Sequence, residues 1–310
     1  MIWLVTPRSL SLKQINDLLR YDPQWLIRKE NDRYHKEIAD AANRIAAKQG
    51  RCLVLLSGPS ASGKTTTALC LQQQVREKGR DTHTVSLDNF YRGYGKAPQL
   101  PDGSYDYEAV EALNLPLLEV CMQELLAVGK TSLPVFDFLT HAPSLQTNEL
   151  RIAEDSVVIF EGIHALNPLL RRHLPQDTLL TVFINVMSSV NDQGEEWLSS
   201  RDIRLSRRML RDIRFRNSSL ENTMDMWRQV VRGEELYLFP YSHTADISFD
   251  TTHAYEPAMI GTLLQPLLRA VPRTSRYFEK IDALSKALEA FVPLSETLLP
   301  PNALLREFIG

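Results

Sequence analysis

Residues 52–66 read CLVLLSGPSASGKTT, an apolar run followed by a glycine-rich loop. The run 52–56 predicts a strand buried on both faces, and the pattern after the loop predicts a helix over 64–78. The loop between them fits G-x-x-x-x-G-K-[ST], in which successive backbone N–H groups and the helix N-terminus hold phosphates. The sequence therefore predicts a nucleoside triphosphate site. The residues expected to contact the nucleotide are Gly58, Ser60, Ala61, Ser62, Gly63, Lys64, Thr65 and Thr66.

Short apolar runs separated by helical patterns follow this loop. They predict strands at 84–87, 133–136, 157–160 and 179–186, an edge strand at 245–249, and helices at 115–128 and within 165–174. Strands that alternate with crossover helices form a mostly parallel sheet with helices on both faces. The predicted fold class is therefore α/β, of the P-loop NTPase type.

The two ends of the chain are predicted to be helical. Ile27, Tyr34, Ile38 and Ile45 recur at helical spacing, and Gly50 is expected to end that helix. Residues 253–310 hold two apolar helical patterns interrupted by prolines. We therefore divide the chain into an N-terminal helical extension (1–49), a P-loop domain (50–252) and a C-terminal helical extension packed on that domain (253–310).

Composition limits the class of protein. The chain has 310 residues, is 44% hydrophobic and carries a net charge of −3, so it can bury a core and gives no reason to expect nucleic acid or a membrane as a partner. Its apolar runs are far shorter than the ~20 residues that span a bilayer. The three cysteines, Cys52, Cys70 and Cys121, are widely spaced, as in a reducing compartment. With no secretory signal pattern, we expect a cytoplasmic protein; a homo-oligomer is left open.

Two acidic residues directly follow predicted strands. Ligands bind beyond the carboxyl ends of parallel strands, so Asp88 would face the phosphates and take a proton from an acceptor hydroxyl. Glu161 would hold Mg²⁺ from the side opposite the Thr65 hydroxyl, while Lys64 reaches the β- and γ-phosphates. Each acid has a plainer alternative, Asp88 as part of a turn and Glu161 as the carboxylate at a helix start.

Seven arginines lie between residues 201 and 216. Four of them fall on one helical face: Arg204, Arg207, Arg208 and Arg211. Residues 211–216 are predicted to form a lid that excludes water, with Arg211, Arg214 and Arg216 on the phosphates. A solvated basic helix and an RNA-binding helix are the alternatives. Because the chain has neither the Asn-Lys-x-Asp motif of GTPases nor the Leu-Ser-Gly-Gly signature of ABC ATPases, a small-molecule kinase is the leading class.

From about residue 53 to residue 250, the chain resembles the uridine kinase / phosphoribulokinase family of P-loop kinases. The matching motifs occupy 58–66, 88–91, 105–106, 134–141, 160–163 and 204–212. The stretch 233–240 resembles a bacterial subgroup of nucleoside kinase-like proteins. The resemblance implies a P-loop kinase domain at 50–252 that uses ATP and Mg²⁺.

The resemblance also implies a role for each matching residue. Asp88 corresponds to the base that deprotonates a ribose 5′-hydroxyl, with Lys64 and Arg204 as the other catalytic residues. Thr65, Asp88 and Glu161 correspond to the magnesium site. Phe136, Phe138 and His141 match a pocket in which a pyrimidine stacks and is read by an imidazole. The full set implied for the acceptor is Tyr91, Asp106, Phe136, Phe138, His141, Arg204 and Arg207, of which Asp106 and Arg204 would hold the ribose hydroxyls.

The function that the resemblance implies is transfer of the γ-phosphoryl group of ATP to the 5′-hydroxyl of uridine or cytidine. The chain departs from the family at 107–109, where Tyr-Glu-Ala stands in place of the His-Pro of uridine kinases. One alternative is a sugar-phosphate kinase resembling phosphoribulokinase, which would need basic residues in place of the aromatic pocket. The other is a regulatory protein that binds ATP and transfers nothing.

Overall fold

The computed structural model describes residues 7–310. Its strands are β1 (Ser9–Ser11), β2 (Cys52–Ser57), β3 (Thr82–Ser86), β4 (Lys130–Asp137), β5 (Ala142–Arg151), β6 (Val157–Glu161), β7 (Leu179–Asn185), β8 (Ser189–Asp192), β9 (Glu195–Leu198) and β10 (Ile247–Asp250). Its α-helices are α1 (Leu12–Tyr21), α2 (Pro23–Ala46), α3 (Lys64–Glu77), α4 (Leu115–Val128), α5 (Pro168–Arg171), α6 (Ser200–Arg216), α7 (Leu220–Tyr237), α8 (Phe239–Ser242), α9 (Glu256–Arg269), α10 (Phe278–Glu289) and α11 (Arg306–Ile309).

Five parallel strands form the central sheet, in the order β10-β7-β2-β6-β3. β2 lies in the middle, with Leu55 opposite Phe160 of β6 and Leu56 opposite Val182 of β7. Every residue of β2 is buried, as a strand covered on both faces requires. The predicted α/β fold with a mostly parallel sheet is confirmed, and the predicted edge strand is β10.

Helices cover both faces of this sheet. On one face, α2, α3 and the C-terminal helices share an apolar core with the strands that includes Ile45, Leu71 and Phe308. On the other face, α4 contributes Met122 to a second core. Residues of the N-terminal segment from Leu12 onward and of the C-terminal segment 253–310 therefore pack into the same core as the sheet. No helix within residues 7–310 has the length and apolarity needed to cross a membrane.

β4, which contains the predicted strand 133–136, lies outside the parallel sheet. It pairs antiparallel with β5 in a separate two-stranded arm, and most residues of β5 are exposed. The expectation of a strand buried on both faces was therefore wrong here. A four-residue apolar run does not distinguish a core strand from an arm of this kind, and Pro134 removes one backbone donor.

The N-terminal segment holds more structure than one helix. The Asp22 side chain caps α2 by accepting from the Trp25 N–H, and the helix ends at Ala46, before the left-handed Gly50. Its predicted apolar face is buried. Ahead of it, β1 pairs with β8 in a small three-stranded sheet completed by β9. Strands of three and four residues leave no alternation long enough to read from sequence.

Candidate active site

The predicted phosphate loop connects β2 to α3 at the carboxyl end of the sheet. Its shape requires two glycines, because Gly63 has φ of +90° and a Cβ on Gly58 would lie 2.5 Å from the Ile184 carbonyl oxygen. The Lys64 ammonium donates to the Pro59 carbonyl at 3.1 Å. A cavity opens here, called the phosphate pocket below. Its polar and loop residues are Ser60, Ala61, Gly63, Lys64, Thr65, Asp88, Glu108, Glu161, Arg208, Arg211, Arg216 and Glu307.

Asp88 lies two residues after β3, and Glu161 is the last residue of the adjacent strand β6, opposite Ser86. Both carboxylates line the phosphate pocket beside Lys64. Removal from water by the surrounding protein atoms raises the pKa of both carboxyl groups, and the nearby Lys64 ammonium opposes that rise. The side chain of Asp88 is nevertheless exposed and open to the phosphate pocket. Two carboxylates and the Thr65 hydroxyl are oxygen donors, which Mg²⁺ takes together with phosphate oxygens and water. The residues present therefore fit the ion.

Glu108 is a further carboxylate in the phosphate pocket, and the sequence reasoning gave it no role. Its pKa is raised to about 7, first because the side chain is partly buried and also because Glu234 and other acids lie nearby, while Arg208 opposes the rise. Helix α7 closes against it, since a Cβ on Gly233 would lie 2.5 Å from the Glu108 Cβ. The departure from the family pattern at 107–109 was the available signal.

Three arginines of α6 line the phosphate pocket: Arg208, Arg211 and Arg216. All three approach one carboxylate, that of Asp212, at N···O distances of 3.2, 3.8 and 3.3 Å. Burial, together with the neighbouring Arg216, lowers the pKa of Arg211 to about 10. A phosphate chain would offset this crowding of positive charge and accept bidentate hydrogen bonds. Arg208 lay on the predicted arginine face but was not among the expected site residues.

Arg204 and Arg207, which were expected to contact the substrate, instead form buried ion pairs in this structure. The Arg204 guanidinium binds both Glu234 oxygens at 2.7 Å and the Ser60 carbonyl at 3.0 Å. Arg207 binds the Glu256 carboxylate at 2.6 and 2.8 Å and also donates to the carbonyl of Ala61. The side chains are 3% and 0% exposed, so they support the phosphate loop from inside the core.

Arg214, expected on the phosphates, lies on another side of α6 and does not line the phosphate pocket. It donates to the Ile309 carbonyl and to Glu296 at 3.0 Å, both in the C-terminal segment. Of the three predicted lid arginines, only Arg211 and Arg216 therefore face the site. The lid segment is the last part of one continuous helix, and α11 packs against that helix.

Asp106, expected to hold ribose hydroxyls, is 5% exposed and does not line the phosphate pocket. Its Oδ2 accepts from Arg232 at 3.1 Å and from the Tyr237 hydroxyl at 2.8 Å, both on α7. Its Oδ1 accepts from the Glu108 N–H at 3.2 Å. The Asp106 carboxylate therefore holds residues 106–108 against α7 through these hydrogen bonds.

A second cavity, called the aromatic pocket, has a volume of about 390 Å³ and is lined by Tyr91, Gly93, Tyr94, Tyr107, Phe136, Phe138 and His141. The arm formed by β4 and β5 supplies three of the expected residues, and the rings of Phe136 and Phe138 meet edge-on with centroids 5.1 Å apart. Sequence reasoning missed Tyr94 and Tyr107, whose rings stack at 6.4 Å and 26°. These exposed tyrosines carried no pattern that marks a pocket.

The C-terminal segment also reaches the phosphate pocket. Glu307 of α11 accepts from the Thr66 N–H at 3.2 Å and from the Thr66 hydroxyl at 2.6 Å. Leu304 lies directly over Gly63, where a Cβ would meet it at 2.8 Å. A carboxylate thus occupies a backbone donor in the first turn of α3 that the sequence assigned to the nucleotide. Nothing in the order of residues along the chain signalled this contact.

Comparison with known proteins places this site in a family. Residues 53–256 match the model of the Phosphoribulokinase / Uridine kinase family. A uridine kinase from Mycoplasma genitalium is 28% identical over 63% of this chain and 83% of its own, and one from Erwinia tasmaniensis is 28% identical over 66% of this chain and 89% of its own. The solved phosphoribulokinase of Rhodobacter spheroides superposes with a TM-score of 0.42 at 15% identity, covering 66% of this chain and 74% of its own. Since the family match takes in more than half of the chain, this protein belongs to the phosphoribulokinase / uridine kinase family and is a kinase.

Proposed function

We propose that this kinase transfers the γ-phosphoryl group of ATP to the 5′-hydroxyl of a pyrimidine nucleoside, uridine or cytidine. The supporting observation is that the aromatic pocket adjoins the phosphate pocket through two short segments. Residues 88–91 run from Asp88 in the phosphate pocket to Tyr91 in the aromatic pocket. In the second segment, Tyr107 lines the aromatic pocket and its neighbour Glu108 lines the phosphate pocket. A flat base and a hydroxyl near the phosphates can therefore belong to one acceptor.

The aromatic pocket suits a pyrimidine. Flat rings from Tyr91, Phe136 and Tyr107 give apolar contact area, and a base can stack against them. Besides the tyrosine hydroxyls, His141 is the polar group that lines the aromatic pocket. Its ring can form one hydrogen bond to the edge of the base. The names of the uridine kinases that this chain resembles agree with this choice of acceptor.

The transfer follows from the residues of the phosphate pocket. The loop N–H groups and Lys64 would hold the β- and γ-phosphates, and Arg208, Arg211 and Arg216 would neutralise charge on the transferring group. Asp88 takes the proton of the 5′-hydroxyl while the hydroxyl oxygen forms a bond to the γ-phosphorus. The bond between the γ-phosphorus and the β–γ bridging oxygen breaks in the same step. Thr65, Asp88 and Glu161 would hold Mg²⁺, which when bound neutralises charge on the phosphates.

A sugar-phosphate acceptor fits less well. It would need cations for its own phosphate, and among the described residues that line the aromatic pocket none is Arg or Lys. A purely regulatory ATP-binding role would still use Asp88 and Glu161 to hold Mg²⁺, but it would not need the aromatic pocket that adjoins the phosphate pocket. Both alternatives remain outcomes of the test below.

The test is a coupled ADP-release assay with Mg²⁺-ATP and, in turn, uridine, cytidine, adenosine, guanosine and ribulose 5-phosphate. The proposal expects acceptor-dependent ADP release with the two pyrimidine nucleosides. Turnover confined to ribulose 5-phosphate would overturn the pyrimidine assignment in favour of a sugar-phosphate kinase. ADP release that no acceptor stimulates would overturn the proposal as a whole.

A further inference from the structure

A further cavity, called the basic cavity, lies at the amino end of the central sheet, opposite the phosphate loop. It opens between the first residues of β7, the segment before β10, the carboxyl end of α2 and the end of α5. Its volume is about 410 Å³, within the range of small-molecule sites. It shares no described residue with the phosphate pocket. The charged residues that line it are Arg44, Lys48, Arg171 and Asp246.

The three cations of the basic cavity have no acidic partner. Arg44, Lys48 and Arg171 are half-buried, and within residues 7–310 no carboxylate oxygen lies within 4.0 Å of their nitrogens. Arg44 and Lys48 each donate one hydrogen bond to a backbone carbonyl, at 3.0 and 2.7 Å. Arg171 donates to the Thr244 hydroxyl at 3.2 Å. All these acceptors are neutral, so the positive charge is left without compensation by the described part of the chain.

Half-buried arginines in other parts of this chain bind carboxylates. Arg8, 30% exposed, pairs with Glu30 at 2.9 Å, and Arg214, 31% exposed, pairs with Glu296 at 3.0 Å. Cations that share one cavity repel each other and lose part of their hydration, so a bound anion would stabilise them. The basic cavity brings three cations together without supplying that anion.

The acid that lines the basic cavity is engaged elsewhere. Oδ2 of Asp246 accepts from the Thr181 N–H at 2.8 Å and from the Thr181 hydroxyl at 2.7 Å, which ties this carboxylate to β7. Three cations against one carboxylate leave the lining with a net charge of +2. A ligand with at least two negative charges would balance it. Guanidinium groups bind phosphate oxygens in bidentate fashion, which favours a ligand with linked phosphates.

We propose that the basic cavity binds a small molecule that carries a diphosphate group. Arg44 and Arg171 would each hold phosphate oxygens through two N–H donors, and Lys48 would add a point charge. Leu179 and Leu180 line the same cavity and offer apolar contact to the organic part of such a ligand. A nucleic acid strand would need a long basic groove, whereas these three cations line one cavity. The site is separate from both catalytic pockets, so the proposal does not rest on the proposed function.

The experiment adds inorganic diphosphate to the metal-free wild type and follows the threonine methyl resonances by NMR. Thr181 and Thr244 report on the basic cavity, and Thr65 reports on the phosphate pocket, so the two sites are read separately. We expect saturable shifts at Thr181 and Thr244 with a Kd at or below about 1 mM. No shift at these two residues up to about 10 mM diphosphate would overturn the proposal.

Substitutions assign the binding to the cations. Arg44→Gln and Arg171→Gln should each weaken diphosphate binding at the basic cavity by about 10- to 100-fold, because each removes charge-assisted hydrogen bonds. The response of Thr65 should stay as in the wild type, which also shows that each variant is folded. Arg172→Gln changes the exposed neighbour of Arg171 and is the matched control, with a Kd within about twofold of the wild type.

Two further results would contradict the proposal. Equal affinities in the wild type and in Arg171→Gln would show that the cations are only a solvated patch at helix ends. Binding of a single-stranded RNA oligonucleotide that depends on Arg44 and Arg171, and that diphosphate does not compete with, would replace the small molecule by a nucleic acid. A wild type that phosphorylates no nucleoside would overturn the proposed function and leave this site standing.

Discussion

Asp88 carries the proton transfer in the proposed reaction, so its carboxylate is the first residue to change. Asp88→Asn keeps the size of the side chain and removes its basicity. Because a positioned general base contributes about 10²–10⁴-fold, we expect kcat to fall by that factor while KM for the acceptor changes by less than about threefold. The measurement is steady-state ADP release. The control is Asp81→Asn, which changes an exposed acid just before β3 and should leave kcat near the wild-type value. A fully active Asp88→Asn enzyme would show that Asp88 is not the base.

In the proposed function, His141 offers the polar contact to the base in the aromatic pocket. His141→Ala should raise KM for uridine by about tenfold, the cost of one lost hydrogen bond, and leave KM for ATP as it is. His173→Ala is the control, since His173 is exposed and pairs with Glu119 away from both pockets. Equal effects on the KM values for uridine and ATP would mean that the variant disturbs the fold and not the pocket.

At the residue scale, motifs predicted placement well where the chemistry is local to a loop or a strand end. Lys64, Asp88 and Glu161 meet in one cavity because they lie at the carboxyl ends of β2, β3 and β6, which are consecutive in the sheet. The roles of Arg204 and Arg207 were not predictable. Their spacing on α6 is clear, but their partners Glu234 and Glu256 come from distant parts of the chain, and only the fold brings these ion pairs together.

Among the structural elements, α11 makes the least expected contact. Glu307 accepts from the Thr66 N–H, a donor that the sequence assigns to the nucleotide, and a carboxylate at this position would repel a phosphate. We therefore expect Glu307→Gln to lower KM for ATP by about two- to tenfold, in line with the effect of a charge at a helix N-terminus. Glu289→Gln, which changes an exposed acid of α10, is the control. A raised KM for ATP would show that Glu307 assists nucleotide binding.

Helix α6 is fastened to the rest of the molecule by the buried pair of Arg207 and Glu256. Removing one partner leaves an uncompensated buried charge, so Arg207→Ala should lower the free energy of unfolding by about 3–5 kcal/mol. Urea unfolding measures this. The exposed neighbour Arg201 provides the control, Arg201→Ala, which should change stability by less than about 1 kcal/mol. An Arg207→Ala protein of normal stability that binds uridine poorly would restore the substrate role assigned from sequence.

How well an element could be predicted depended on its length and its signals. Helix α4 has the predicted bounds because Asn114 caps its start and the left-handed Gly129 ends it. The arm β4–β5 was misplaced because its short apolar run looks like a core strand. β1 and the short helix α11 carry too few residues for any periodicity, although α11 contributes a residue to the site.

For the molecule as a whole, paired buried acids make stability depend on pH. Arg207 and His253 outweigh the effect of burial and hold the pKa of Glu256 at about 2, below its ordinary 4.5, and the pKa of Asp250 is also lowered despite its burial. A carboxyl whose pKa is lower in the folded chain than in the unfolded chain stabilises the fold at pH values above its unfolded pKa. That contribution to stability is lost as the pH falls toward the folded pKa. The melting temperature should therefore drop steeply as pH falls from about 4.5 toward 2. A melting temperature that stays constant over that range would contradict these pairings.

The domain organisation of the whole molecule could be predicted from the sequence only in part. The P-loop motif and the run of strands and helices were enough to predict the central sheet. The terminal segments were expected as extensions, and the core that they share with the sheet is visible only in the structure. Helical patterns at 1–49 and 253–310 predict amphipathic faces, but they do not tell which surface each face covers.

The most direct test of the central claim is the identity of the phosphorylated product. The wild type is incubated with Mg²⁺-ATP and an equimolar mixture of uridine, cytidine, adenosine and ribulose 5-phosphate, and ³¹P NMR follows the new phosphate resonances. A phosphate coupled to two 5′ protons of a pyrimidine nucleoside, appearing at the rate of ADP, is the predicted result. A new phosphate on ribulose 5-phosphate or adenosine, or ADP formed with inorganic phosphate alone, would contradict the account.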